Sequence, residues 1–215
     1  MDDVVVVGGG IIGAATAYFL SKEGRKVKVI ERDPTYKTAS FPLSLGGFRR
    51  QFFQKENIHL GKFAREFILN LPETLKTEKN PNPTASMVPN GYLLLFGPEH
   101  AEEQYRALKN HAECDAGTKN VKGSEISKIF KYINNEGIET ATYTDTKIEG
   151  WIDPYLLHNA LKNKAIELGA EFVKGEIKSL KEINSNFIVS AAGCWTNELS
   201  VSYTHLRAHE TREDR

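Results

Sequence analysis

Residues 2–20 read DDVVVVGGGIIGAATAYFL, four valines running straight into three glycines. A short continuous apolar run such as Val4–Val7 is the pattern of a parallel strand buried on both faces. After Ile11 the period changes, and Ile12, Ala15 and Tyr18/Phe19 share one helical face that Gly24 closes. KVKVIE (26–31) then alternates as a second strand, giving β-α-β within the first 31 residues. Between the first strand and the helix lies Gly8-x-Gly10-x-x-Gly13, in the context a dinucleotide fingerprint requires. Gly8 permits the tight turn, Gly10 lets the backbone approach a diphosphate, and Gly13 lets helix and strand pack closely. The helix N-terminus at Ile11 and Ile12 offers free N–H groups and a partial positive charge to the phosphates. Glu31 ends the second strand where a carboxylate bonds a ribose hydroxyl pair. It would repel a 2′-phosphate, which disfavours NADP although Arg32 is adjacent. The plainer alternative, a Gly-rich turn met by chance, has to produce strand, helix, second strand and acid in register.

Beyond this unit, 32–54 holds few periodic signals and reads as a long functional loop. Leu60, Phe63, Ala64, Phe67, Ile68 and Leu71 mark an amphipathic helix that stops near Pro72. NPNPTA (80–85) is a break, GYLLLF (91–96) a strand, and Glu99 to Glu113 a polar helix. Asp153 and Pro154 start a further helix running to Leu168, and strands follow at about 171–177 and 187–191.

Composition narrows the function. With 28 Lys+Arg against 28 Asp+Glu among 215 residues, there is no electrostatic footprint for nucleic acid or an anionic membrane. No apolar run reaches the roughly 18 residues of a membrane span. Two cysteines, Cys114 and Cys194, are too few for a disulfide framework and fit a reducing compartment. There is neither a secretory signal nor an Arg/Ser-rich presequence at the start. Ser/His/Asp, Cys/His and paired-carboxylate arrangements are absent. His205 and His209 stand four apart, but no third ligand or catalytic Glu accompanies them, so no metal is expected.

The fingerprint alone leaves FAD and NAD open. ERDPTYKTASFPLSLGGFRRQFFQKENI (31–58), taken with the first strand, resembles the D-amino-acid-oxidase/sarcosine-oxidase superfamily of FAD-dependent amine oxidoreductases. The resemblance implies a flavin-side loop carrying Ser40, then Gly46, Gly47, Arg49, Gln51 and Phe52. Paired glycines let backbone N–H groups approach an isoalloxazine ring or a diphosphate, and an arginine can balance a reduced flavin or hold a substrate carboxylate. Taken without the family, Arg49 and Arg50 would read as a solvated pair. GAEFVKGEIKSL (169–180) resembles the family strand at the adenine, which implies a contact at Ile177. FIVSAAGCWTNELS (187–200) resembles the strand-turn that returns to the cofactor, which implies Ala192, Gly193 and Trp195 beside it. Cys194 invites a redox or covalent-flavin role, but the family's flavin-linking residues do not sit there, and a small buried thiol is the plainer reading. EGWIDPYLLHNAL (149–161) also matches, its Trp151 as much a packing residue as a substrate one.

The expected fold is therefore α/β: a doubly wound, Rossmann-type FAD-binding core with part of a mixed α+β substrate domain. The core takes in 1–79 and 156–199, with 80–155 inserted between. The implied activity is oxidation of a secondary or N-methyl amine, or an amino acid, with hydride passing to FAD, which carries the electrons. VPNGYLLL, INNEGI and GWIDP resemble most a mitochondrial branch of the family that assists assembly of respiratory complex I. This implies a second role, a flavoprotein scaffold whose partners are assembly intermediates, and a mitochondrial location, with the cytoplasm as the alternative. An NAD-dependent dehydrogenase is the third. Two departures stand out: six residues between Leu180 and Phe187 replace a family β-meander, and family members are about twice as long. SVSYTHLRAHETREDR (200–215) resembles translated adaptor sequence, so the chain is expected to be an inactive N-terminal piece with a foreign tail.

Overall fold

The computed structural model describes residues 3–200, the last by its backbone only. The order is β1 (Val4–Val7), α1 (Ile11–Lys22), β2 (Val27–Glu31), β3 (Gly47–Phe48), α2 (Lys55–Leu69), α3 (Leu71–Thr74), β4 (Leu93–Phe96) and α4 (Pro98–Glu113). There follow β5 (Thr118–Lys122), α5 (Ile126–Ile129), β6 (Thr140–Thr144), β7 (Gly150–Trp151), α6 (Pro154–Glu167), β8 (Glu171–Lys174), β9 (Phe187–Ser190) and α7 (Thr196–Ser200).

Two units divide the chain. The first takes in the described residues up to Ser44, Leu75–Pro83, and those from Pro154 on. Its sheet runs β8-β2-β1-β9, parallel throughout, with Val4 opposite Val27 on one side and Phe187 on the other. All four valines of β1 are buried because both faces are covered. Val5 and Val7 pack with Leu199, Ile30, Ile177 and Ile188. Val6 turns to the opposite face, towards Gly13 of α1. Helix α1 buries the small Ala14 and Ala17, and α6, which buries Ala160, Leu161 and Ala165, packs along it. This is the expected α/β core with its parallel sheet.

The second unit holds Leu45–Thr74 and Thr84–Asp153. Its antiparallel sheet β4-β6-β5 has α4 against β4 and β5. Val121, Ile126 and Ala141 centre an apolar cluster with Phe130 and Tyr143. Alternation places Thr140, Thr142 and Thr144 on the other face of β6, all three buried. A ribbon of β3 on β7 adds Val88, whose N–H donates to the Trp151 carbonyl at 2.8 Å.

Three sequence readings need correction. Residues 45–74, expected in the nucleotide core, cluster with the inserted unit, because β3 pairs with β7 and Glu149 binds the backbone of Arg50 and Gln51. The core stripe of α2 holds only in part: Ile68 and Leu71 are buried, but Leu60 and Phe63 are 63% and 58% exposed, and Ile58, outside the expected stripe, is buried. The inward line runs through Ile58, Gly61, Arg65 and Ile68. At Gly61 a Cβ would meet the Arg49 carbonyl oxygen at 2.5 Å, and the Arg65 guanidinium donates to the Lys147 carbonyl at 2.9 Å. Cys194 is exposed and Cys114 buried, so the thiol read as buried at 194 is not. In place of a β-meander, a 3-10 turn at Leu180–Glu182 leads to β9. No helix among the described residues is long and apolar enough to cross a membrane.

Candidate nucleotide and flavin site

The glycine turn is built from the sheet outwards. Gly8 has φ of 100° and passes so close to β9's exit that a Cβ there would lie 2.5 Å from the Ala191 carbonyl oxygen. At Gly13 a Cβ would fall 1.9 Å from the Gly8 carbonyl oxygen, so only glycine lets α1 start directly against β1. At Gly10 the nearest atom to an added Cβ is in the Phe41 ring, 3.9 Å off, which leaves open space in front of the helix. Gly10 is also the N-cap of α1 and offers no side-chain acceptor to the first-turn N–H groups. They remain available to an anion.

In front of this turn lies a cavity of about 380 Å³, a size typical of small-ligand sites. Gly8, Gly10, Ile11 and Ile12 form its floor, Glu31, Arg32 and Ser40 one wall, and Ile177, Ala192, Gly193 and Trp195 another. Gly13 stands behind, a packing glycine. Gly46, Gly47 and Arg49 belong to the second unit. His205 and His209 lie outside the described residues. Among the described residues there is no group of three His, Cys, Asp or Glu able to hold a metal.

Glu31 does two things at once. One carboxylate oxygen accepts the Gly9 N–H at 2.6 Å and the other the Asp33 N–H at 2.7 Å. Each oxygen keeps lone-pair capacity for a ribose hydroxyl. The Arg32 guanidinium lies 3.9 Å from the Trp195 ring centre, a cation–π pair on the cavity wall.

Several groups here were not singled out in the sequence. Tyr36, at φ of 56°, is buried after an Asp33–Thr35 turn. Burial, then the charges of Glu31 and Asp33, push its phenol up to about 12. Lys162 Nζ donates to its oxygen at 3.2 Å. His158, fully buried on α6, donates from Nε2 to the Gly9 carbonyl at 2.8 Å. A carbonyl only accepts, so Nε2 carries the proton. Burial holds this imidazole below its ordinary 6.5, Lys162 acting in the same sense and the Gly9 bond and Glu31 against it. The signal was present: His158, Leu161 and Ala165 fall at helical spacing on one face.

The second unit holds the arginine loop. Glu149 is fully buried, and four donors converge on it. The Arg50 and Gln51 N–H groups reach one oxygen at 2.5 and 3.0 Å. The Gln51 side-chain amide and the Thr144 hydroxyl reach the other at 2.8 and 2.7 Å. His111 Nε2 donates to the Phe52 carbonyl at 2.9 Å. Arg49 lies 4.8 Å from the Phe52 ring centre. Arg50 is buried, and burial followed by the like charge of Arg65 pulls its guanidinium below its ordinary value. Gly46, at φ of 63°, accepts the Ile152 N–H, and a Cβ on Gly47 would collide with the Tyr92 hydroxyl. These glycines thus have structural work within their own unit.

The model of a family described as "FAD dependent oxidoreductase" matches residues 3–210. The chain belongs to this family. FAD is therefore the cofactor, and the reading as a nicotinamide dehydrogenase falls away. The bare helix start, the open space before Gly10 and the Glu31 carboxylate fit the ADP half of FAD. The chain is 38% identical over 196 residues to the FAD-dependent oxidoreductase domain-containing protein 1 of Xenopus laevis, covering 87% of this chain and 38% of that protein. The Bos taurus protein of the same name is 33% identical over 216 residues, covering 98% and 44%. The chain thus spans less than half the length of these relatives. In fold it is similar to L-proline dehydrogenase from P. horikoshii, with a TM-score of 0.75 at 24% identity, covering 96% of this chain and 57% of that one.

Proposed function

We propose that the whole protein oxidises a secondary or N-methyl amine, or an amino acid. The observation that carries this reading is the Glu149-pinned loop: a buried carboxylate holds the backbone of Arg50 and Gln51, the segment that presents the neighbouring Arg49. A guanidinium on a backbone that cannot shift is suited to a substrate carboxylate. FAD, when bound, accepts the hydride from the carbon beside nitrogen. The amine nitrogen gives up a proton, and water adds to the resulting imine to release a carbonyl compound and an amine. For the cofactor we assign Gly8, Gly10, Ile11, Ile12, Glu31, Arg32, Ser40, Ile177, Ala192, Gly193 and Trp195 to the nucleotide side, Gly13 to the packing behind it, and Gly46, Gly47 and Arg49 to the flavin side. The test is an anaerobic screen of the full-length protein with sarcosine, proline and D-amino acids. Failure of all of them to bleach the flavin band would sink the reading. The 215-residue chain by itself is expected to turn over nothing, and a soluble preparation that reduces FAD with any of these substrates would contradict that.

A second reading is favoured by the likeness to the FAD-dependent oxidoreductase domain-containing proteins. Here the protein is a mitochondrial flavoprotein that assists assembly of respiratory complex I, FAD serving its folding. Deletion of the gene with complex I left at normal level, or a full-length protein found outside mitochondria, would remove it.

A further inference from the structure

Gly9 has no open side. Its N–H is taken by Glu31 and its carbonyl by His158, while an added Cβ would sit 3.2 Å from the Tyr36 hydroxyl and 3.4 Å from Val29. The residue lies between two that line the cavity, Gly8 and Gly10. In a trans peptide the C=O of one residue and the N–H of the next point in opposite directions. Fixing the Gly9 carbonyl into the protein therefore fixes the Gly10 N–H the other way, on the side where Gly10 meets the cavity.

We propose that His158 is the positioning residue of the nucleotide site: by holding the Gly9 carbonyl it aims the Gly10 N–H at the cofactor diphosphate. Cofactor retention then depends on the imidazole's Nε2–H and not on its bulk. The inference deepens the assignment of the Gly8–Gly13 turn to FAD and rests on it.

The surroundings separate these two roles. The His158 ring is packed edge-on to Tyr36 at 4.4 Å between centroids and lies 4.5 Å from Phe41. An aromatic hydrocarbon would fill that space as well. Nδ1 is buried without a hydrogen-bond partner, so Nε2 makes the ring's one polar contact among the described residues. A residue chosen for packing alone would not bring an unpaired nitrogen into the interior. Removing the donor leaves the Gly9 carbonyl buried and unpaired, and its peptide is then free to rotate towards other partners.

The test uses the full-length apoprotein, with FAD affinity read from quenching of flavin fluorescence. His158→Phe keeps the ring and removes the donor, whereas His158→Gln loses the ring and keeps an N–H where Nε2 stood. FAD binding is expected to weaken about tenfold or more in His158→Phe, in line with loss of a buried hydrogen bond. In His158→Gln it should stay within about threefold of wild type, since the donor that carries the effect is retained. Phe binding FAD as wild type does, or Gln binding it as weakly as Phe, would overturn the proposal, because either result follows packing. Should the Phe variant not fold, nitrogen-15 histidine NMR of the wild type decides. His158 must be the neutral Nε2–H tautomer, and its Nε2–H signal must move when FAD is added. An unmoved signal overturns the proposal. A wild-type protein that takes up no FAD is a different result, which overturns the cofactor assignment and the proposal with it.

Discussion

Glu149 binds Gln51 twice, taking the backbone N–H at 3.0 Å on one carboxylate oxygen and the side-chain amide at 2.8 Å on the other. The two residues are 98 positions apart, so a single carboxylate ties the loop after β3 to the turn that leads into β7. Arg50 and Thr144 complete its shell. In Glu149→Ala all four donors lose a buried acceptor, which costs about 3 kcal/mol or more. Urea unfolding of the full-length protein should show that loss as a lower midpoint at unchanged slope. Glu149→Gln keeps one acceptor oxygen but points an NH₂ at two donors, and should fall between. A midpoint unchanged in the alanine variant would show that this carboxylate does not hold the loop.

The glycine turn separates stability from binding. Gly13→Ala sets a Cβ 1.9 Å from the Gly8 carbonyl oxygen, a backbone atom that cannot give way without parting α1 from β1. Gly10→Ala meets nothing closer than 3.9 Å, and its φ of −62° suits any residue. Gly13→Ala should therefore lower the thermal midpoint of the apoprotein, by several degrees at least. Gly10→Ala should leave that midpoint unchanged and weaken FAD binding, since the methyl occupies space the diphosphate needs. Thermal melts without FAD, followed by FAD titration, distinguish the two. Equal effects on the apoprotein would mean that Gly10 too is a packing glycine.

How much of this was legible in the sequence depends on range. β1, α1 and β2 are set by neighbours within 31 residues, so a valine run, a glycine spacing and an alternating strand sufficed. Glu149 could not be found that way. A lone acid before Gly-Trp reads as surface until folding brings Arg50 and Gln51 to it across roughly half the chain. α2 misled for a physical reason, since Leu60 and Phe63, two of its larger apolar side chains, lie on the face that stays exposed. Phe63 stacks from there on the half-buried Phe67 at 6.0 Å, while the inward line includes Gly61 and Arg65, which a hydrophobic pattern does not count. His158 lay between, on a readable helix face, but a histidine there carries no signature until its partner carbonyl is known.

Two buried imidazoles give stability a pH slope. Burial is the leading cause that holds both His158 and His111 below their ordinary 6.5. Below pH 6.5 the unfolded chain binds protons that the folded one refuses, so stability is fully present above that value. It is lost as pH falls towards the folded-state pKa values. The slope is at most about 1.4 kcal/mol per pH unit for each imidazole. Urea midpoints from pH 8 to pH 5 should decline below 6.5, and His111→Phe should flatten the decline without reversing it. A midpoint flat across that range would show that neither imidazole is held neutral.

The Arg32–Trp195 pair should report on the adenine side of the cavity. Its guanidinium and indole, 3.9 Å apart, line the same cavity as Glu31 and Ile177. A cation over an indole face contributes about 0.5–2 kcal/mol depending on how far it is desolvated. A nucleotide entering the cavity removes water from the pair and moves it up that range. Trp195→Ala should then weaken FAD binding about threefold to tenfold, most of it through faster release, because trimming a side chain from a formed site acts mainly on the off-rate. Comparison of wild type with Trp195→Phe isolates this indole's share of the emission. FAD added to wild-type apoprotein should quench indole emission, and the quenching should be measurably smaller in Trp195→Phe. If the variant is quenched as fully as wild type and binds FAD as tightly, Trp195 has no place beside the adenine, and the assignment of Arg32 loses its support.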